Sequence, residues 1–326
     1  MEQLRVEIED VERRCDTINK RESLLCLRVT KFASINKIQT EIKPFSQLWA
    51  IAFKFNKTYP VWMEGHFEDL NAEEVEENVT DWWKSLNRLS KTPLQDHYHP
   101  MNLLSYLLRT LEDFKEYIPM VSALRTKGFT NRHWTRLSEI FSMPIDTSTL
   151  SLKVLIAKKL HEAAKLEKIK GVSDYAIKEY AIQTTLENLE NEIKSSEFSP
   201  MVYKDTKTHI LKGTDELISQ FEEYSIKVAA LRANHFAQNF NERISKVERE
   251  IKIIEDVLDE WSKAQRSWMY LEPIFQSEDI SKQMPQESNN FQNLDLFYRM
   301  QMKAIVSDPN VLRISRRDGF LMQLSK

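Results

Sequence analysis

The sequence predicts an all-α fold: an elongated rod of stacked helical bundles with one small β-hairpin. Only 5 of the 326 residues are glycine, too few for the tight turns of an all-β or doubly wound fold. Charged residues make up 29% and hydrophobic residues 41%, a balance that suits solvated helices carrying one apolar stripe. Apolar residues also recur in steps of three and four over long stretches. The chain exceeds the size at which a single core usually keeps growing, so several packed subdomains are expected.

The first element runs from Leu4 through Ile8, Val11, Cys15, Ile18, Leu25, Val29 and Phe32. That spacing predicts one amphipathic helix, continuing in sense to Ile42, with Glu22 as its one polar interruption and Pro44 as its stop. Cys15 and Cys26 would then sit about 16 Å apart on one helix, too far to bridge. A reducing compartment fits two such unpaired thiols. Aromatic residues crowd the next segment at Phe45, Trp49, Phe53, Phe55, Tyr59 and Trp62, and Pro60 and Gly65 mark an irregular connection.

Asn71 is the predicted N-cap of a helix with Glu73 and Glu74 in its first turn, running through Val75, Val79, Trp82, Trp83 and Leu86 to Leu89. Pro93 ends it. TPLQDHYHP, from Thr92 to Pro100, reads as a surface loop before a helix from Met101 to Tyr117 that Pro119 closes. In LRTKGFTNRHW, Leu124 to Trp134, Gly128 marks a turn between two helices, with Asn131 as the next N-cap. Helices are then expected from Asp146 to Ile169 and from Tyr175 to Ile193, separated by Gly171 and Ser173 as a cap pair.

Between Phe198 and Gly213, two short apolar runs, Met201 to Tyr203 and His209 to Leu211, flank a polar KDTKT turn and predict a β-hairpin. Helical spacing resumes at Thr214. Ile244, Val247, Ile251, Ile254, Leu258, Trp261 and Trp268 fit an a/d heptad whose one polar member is Gln265. Unbroken from Thr214 to Trp268, it would span about 80 Å. The stripe loses regularity from Ala233 to Asn239, which marks the place for a kink. At its end, Trp268, Tyr270, Leu271, Ile274 and Phe275 crowd around Pro273, predicting an apolar corner that needs a partner surface.

Charge narrows the function classes. With 46 basic and 49 acidic residues interspersed, the net charge of −3 supplies no field towards nucleic acid or an anionic membrane. No stretch approaches 18 uninterrupted apolar residues. The closest glycines, Gly171 and Gly213, are far apart in sequence, so no loop of the GxxxxGK type cradles a phosphate. Asp96, His97 and His99 form the densest potential metal group, yet two nitrogens on a loop favour a solvated reading. His133 reads as a buried histidine supporting the turn at Gly128 rather than a catalytic base, since no nucleophile stands near it. No catalytic, cofactor-binding or metal-ligating residue is assigned.

Three ordered blocks resemble the linker of dynein heavy chains, the helical arm preceding the first AAA+ module. They are LRTKGFTNRHW, YKDTKTHILKGTDELISQ (Tyr203 to Gln220) and VLDEWSKAQRSWMYLEPIFQSEDISKQMPQESNNF (Val257 to Phe291). The sense of RTKGFTNRHW and SWMYLEPIF leans towards ciliary, axonemal heavy chains. Two places depart from the family pattern. Lys207 and His209 stand where a glycine and an aromatic residue are usual, and Ala233 and Asn234 where a Ser-Pro-like break is usual.

The resemblance implies residues 1–44 as the end of the tail, 45–306 as helical linker subdomains, and 307–326 as the start of a further linker helix. The chain then looks like a fragment or truncated product of a larger motor. It implies a lever that transmits ATP-driven changes of the AAA+ ring into minus-end-directed microtubule motility, in the cytoplasm, cytoskeleton and ciliary axoneme. ATP and Mg2+ would belong to that ring and no cofactor to this chain. Implied partners are the ring of the same heavy chain, dynein intermediate and light chains through the tail, and microtubules through the whole motor, with no nucleic acid and no membrane. Structural and mechanical roles then fall to Gly128, Arg132, His133 and Trp134, and to Trp261, Trp268, Tyr270, Leu271, Pro273, Phe275 and Pro285. The competing expectation is a ringless helical adaptor that binds other dynein subunits through the exposed stripe from Leu4 to Phe32.

Overall fold

The computed structural model describes residues 2–204 and 206–325. Helices dominate, with one two-stranded antiparallel sheet among the described residues. The chain packs as two compact units, Met1–Ile177 and Lys178–Lys326, each with its own apolar core. This division falls inside the expected 45–306 body.

In the first unit, the expected helix from Leu4 to Ile42 is two helices, α1 (Glu2–Leu24) and α2 (Ala33–Glu64). Glu22, the polar interruption, lies at the break. Cys26 takes a left-handed φ of 55°, and the Leu27 and Cys26 amides donate to the carbonyls of Glu22 and Ser23, a Schellman-type stop without its usual glycine. The Glu22 carboxylate then accepts from the amide and hydroxyl of Thr30, each at 2.7 Å. Cys26 therefore lies beyond the helix that carries Cys15.

Pro44 and Pro60 were expected to stop and interrupt the chain, yet both lie inside α2. An interior proline costs about 3 kcal/mol. Leu48, Phe55 and Trp62, spaced by sevens and all buried, contribute about 1.5–3 kcal/mol each and carry the helix past both. Trp62 stacks on Trp82 with centroids 5.5 Å apart, and Phe55 stacks on Tyr59 at 4.8 Å.

α3 (Ala72–Leu89) starts as expected, with Asn71 Oδ1 accepting from the amides of Glu73 and Glu74 at 3.1 and 3.4 Å. The expected loop before Met101 is shorter. Residues 93–96 form a 3-10 turn, and α4 (Tyr98–Lys115) takes Pro100 into its first turn, where no amide donor is needed. Pro119 likewise opens α5 (Ile118–Leu124) instead of closing α4. α6 (Asn131–Phe141) follows the Gly128 turn, and then α7 (Leu152–Ala157).

α8 (Ala163–Ser195) runs unbroken through Gly171 and Ser173, which form no cap pair. Its apolar residues keep helical spacing across both, Ile169 and Val172 entering the first core and Ile182, Leu186, Leu189 and Ile193 the second. A helical glycine costs about 1 kcal/mol, too little to break such a stripe.

In the second unit, β1 (Ser199–Val202) pairs with β2 (His209–Lys212), the hairpin the apolar runs predict. Position 205 of its KDTKT turn lies outside the described residues. The single 80 Å rod does not form. α9 (Thr214–Ala233) ends where Asn234 Oδ1 accepts from the Phe236 amide, residues 235–240 make a 3-10 turn, and α10 (Asn241–Phe275) folds back along α9. Arg232 reaches across that hairpin to Glu248 at 3.0 Å and Ser245 at 2.6 Å.

α11 (Glu278–Gln283) and α12 (Pro285–Ser307) follow. The last segment, expected to begin another linker helix, instead forms α13 (Val311–Ser315) and α14 (Phe320–Leu324). Val311, Ile314 and Phe320 are buried in the second core. Asn310 ties this segment to the end of α8 by donating to the Lys194 carbonyl at 2.7 Å.

Candidate functional site

In the first unit, Gly128 takes a φ of 89°, a conformation that favours glycine, and so turns the chain between α5 and α6. The N-cap that follows is Thr130 and not Asn131. Buried His133 supplies the return contact, its Nδ1 accepting from the Thr130 amide at 3.0 Å, a capping-box arrangement with histidine in place of glutamate. Trp134 packs edge-on against Phe67 and Phe129, whereas Arg132 faces solvent. Arg125 pins the turn to the Leu70 carbonyl at 2.8 Å, and the Thr126 hydroxyl bonds Ser173 at 2.9 Å.

In the second unit, the predicted apolar corner divides. Trp268 is fully buried, but Tyr270 is 71% exposed and Leu271 half-buried. Pro273 sits in the last turn of α10 rather than ending it, so the chain turns at Gln276 and Ser277. Phe275 stacks on Phe291 of α12 at 5.1 Å, and Pro285 occupies the first turn of α12. Met284 and Pro285 are exposed, so the corner's contacts come from Trp268 and Phe275.

Around Trp268 the structure assembles residues that sequence reasoning did not select. Tyr298 of α12 stacks between Trp268, at 4.4 Å, and Trp261, at 5.6 Å. The Trp268 indole donates to Asp295 Oδ1 at 2.9 Å, Asp295 accepts from Arg299 Nε, and Arg299 Nη1 donates to the Thr206 carbonyl at 2.9 Å. Burial pushes the Tyr298 hydroxyl well above the usual tyrosine range, so it stays protonated as a donor. Tyr203 meets Trp268 edge-on at 5.5 Å.

Gln265 is the centre of this arrangement. Leu211 stands opposite Pro200 in a non-hydrogen-bonded pair of the ladder, so both its backbone groups point away from β1, towards α10. Gln265 Oε1 accepts from the Leu211 amide at 2.7 Å, and its Nε2 donates to the Leu211 carbonyl at 2.8 Å. The Trp261 indole and the Tyr298 hydroxyl approach the same Oε1 at 3.3 Å. Thus the polar member of the heptad fastens the free edge of β2. Its polarity in a core position was the available signal, as was the i,i+4 pair Asp295 and Arg299.

The chemistry on view is packing and hydrogen bonding. Among the described residues, no group of three or more His, Cys, Asp or Glu could hold a metal ion, and no helix is long and apolar enough to cross a membrane. His97 packs edge-on against Phe45 at 5.1 Å, and His99 against Tyr98 at 5.4 Å.

A profile of the family described as dynein heavy chain, N-terminal region 2, matches residues 35–326, which includes the hairpin, Gln265 and the whole of α10 and α12. The chain belongs to this dynein heavy chain family. Similar proteins include dynein axonemal heavy chain 1 of Mus musculus, 30% identical over 309 residues, covering 94% of this chain and 7% of the relative. Dynein axonemal heavy chain 3 of Homo sapiens is 32% identical over 298 residues, 91% of this chain and 7% of the relative. Dynein axonemal heavy chain 12 of Homo sapiens is 32% identical over 329 residues, 99% and 10%. The chain therefore spans a tenth or less of the length of these relatives. At the two departures from the dynein pattern, Lys207 adopts a left-handed φ of 55°, and Asn234 ends α9 and caps the 3-10 turn.

Proposed function

We propose that this chain is a lever segment of a dynein heavy chain, passing ATP-driven changes of a AAA+ ring into minus-end-directed microtubule motility in the ciliary axoneme. Membership of the dynein heavy chain N-terminal region family carries the reading, and the fastening of hairpin, α10 and α12 through Gln265, Trp268 and Tyr298 supports it. A lever must resist bending within its packed units, and a stack of aromatic rings closed by buried hydrogen bonds resists shear. In this reading, ATP and Mg2+ belong to the ring, the chain performs no catalytic step, and its immediate partner is the ring of the same heavy chain.

The test joins the chain to its ring and changes Trp268→Phe together with Phe275→Ala. The first keeps an aromatic ring but loses the bond to Asp295, and the second removes the stack on Phe291. Microtubule gliding should slow at least about twofold while ATP turnover and the helical circular dichroism signal hold. Unchanged gliding, or equal loss of gliding and turnover, overturns the reading.

A second reading, a ringless adaptor for dynein intermediate and light chains, draws on α1, where Leu4, Val11 and Ile18 are 40%, 43% and 42% exposed at seven-residue spacing. Serine at all three positions should abolish binding to purified intermediate and light chains. Retained binding dismisses the adaptor.

A further inference from the structure

Helix α1 turns one face to α2 and leaves the neighbouring face in water. Glu12, Cys15 and Asn19 face α2, where Gln39 donates to Glu12. Beside that contact, Leu4, Val11 and Ile18 form a stripe 40%, 43% and 42% exposed. Residues seven apart lie nearly one above the other, so the three make a single apolar ridge along about 21 Å of helix, the pattern by which one helix packs on another.

The ridge has a centre. Leu4 and Ile18 stand at equal distances on either side of Val11. Charge changes sign at nearly the same point. From Val6 to Glu12 the charged residues are Glu7, Glu9, Asp10 and Glu12, all acidic, whereas from Arg13 to Arg21 basic residues outnumber the single Asp16. Glu7 and Arg14, both exposed, lie three residues beyond Leu4 and Val11 and so flank the ridge on the side away from α2. A half-turn about an axis through Val11 therefore lays the ridge on itself and the acidic half on the basic half.

We propose that α1 pairs with α1 of a second copy of the chain, antiparallel and centred on Val11. Leu4 then meets Ile18 of the other copy, Val11 meets Val11, and Glu7 lies nearly level with Arg14, twice over because an isologous contact repeats each pair. Arg14 already pairs with Asp10 of its own helix at 2.8 Å, and the incoming carboxylate joins that pair. The parallel arrangement sets Glu7 beside Glu7 and Arg14 beside Arg14, and like charges exclude it. The contact is short, so the dimer belongs to the weak, transient class, with a dissociation constant of about 10–100 μM. This inference does not rest on the lever reading, and it gives the ridge a different occupant from the adaptor reading.

Sedimentation of the full chain from about 1 to 500 μM reads the dimer directly. Val11→Glu sets two carboxylates against each other on the axis and should weaken it at least about tenfold. Glu7→Arg alone and Arg14→Glu alone should each weaken it about fivefold, whereas an equal mixture of those two variants should restore it, a rescue that only antiparallel pairing allows. Melting midpoints should stay in place, since all three positions lie outside both cores. A monomer throughout, a dimer indifferent to Val11→Glu, or a loss that the mixture fails to reverse overturns the proposal. So does Val11-dependent binding of purified intermediate or light chains, or of phosphatidylserine vesicles, by a chain that stays monomeric.

Discussion

Replacing Gln265 by leucine tests whether one amide holds the hairpin to the long helix. The leucine fits the same core position, so the change removes hydrogen bonds with little change of volume. The Leu211 amide and carbonyl lose partners at 2.7 and 2.8 Å, in a residue only 3% exposed. Each such orphan costs about 1–3 kcal/mol, and the indole of Trp261 and hydroxyl of Tyr298 lose an acceptor as well. The added apolar surface returns about 1 kcal/mol, leaving a net loss of about 3 kcal/mol.

Denaturant unfolding measures the total, and amide exchange locates it. The Leu211 amide should exchange about a hundredfold faster, as a loss near 3 kcal/mol requires, and amides around Ile251 in α10, which open with the whole unit, should accelerate by no more than that. Gln265→Glu is the sharper companion. It keeps an acceptor for the Leu211 amide but sets a buried carboxylate against the Leu211 carbonyl, so its stability should rise as pH falls and the carboxyl protonates. A loss under about 0.5 kcal/mol in Gln265→Leu, with Leu211 protection unchanged, refutes the reasoning.

Two further outcomes follow from the backbone. Lys207→Gly should stabilise the chain by about 0.5–1 kcal/mol, because the φ of 55° strains an L-residue more than glycine's extra entropy costs, and a lowered unfolding midpoint would count against it. The Glu22 carboxyl is held below its ordinary value of 4.5 by the Thr30 hydroxyl first and the Thr30 amide second. Its folded form is therefore favoured above pH 4.5 and loses that support as pH falls through the depressed value, so the protection of the Thr30 amide relative to its intrinsic exchange rate should fall on acidification and stay constant with pH in Glu22→Gln.

The helices were legible wherever one apolar stripe met one cap. α3 was readable from Asn71 and its following glutamates, because a side chain two and three residues from its bonding partners is a local event. The hairpin was readable for a similar reason, short apolar runs around a polar turn. Prolines misled the reading in both directions. Pro44 and Pro60 predict breaks by local rules, but Leu48, Phe55 and Trp62 supply tertiary burial that those rules do not count. Pro100 and Pro119 sit in opening turns, where losing an amide hydrogen costs nothing. Glycine failed in the opposite way: Gly171 caps nothing, and the left-handed turn that ends α1 uses Cys26.

The apolar corner was half legible for a different physical reason. Trp268 and Phe275 announce themselves by size, since large rings rarely sit in water without cause. Their partners do not, because Asp295, Tyr298 and Arg299 look in sequence like the ordinary mixed face of one helix, and only packing against α10 shows that Tyr298 is held between two indoles. Gln265 is the most instructive residue. A heptad rule reads it as a defect that weakens the stripe, whereas the structure gives it two backbone bonds that no apolar residue could form. A polar side chain kept at a core position poses the question of what it faces. Here the answer is the outer edge of β2, where Leu211 turns its amide and carbonyl away from β1, so the loss of helix apolarity is the condition for joining helix and hairpin into one body.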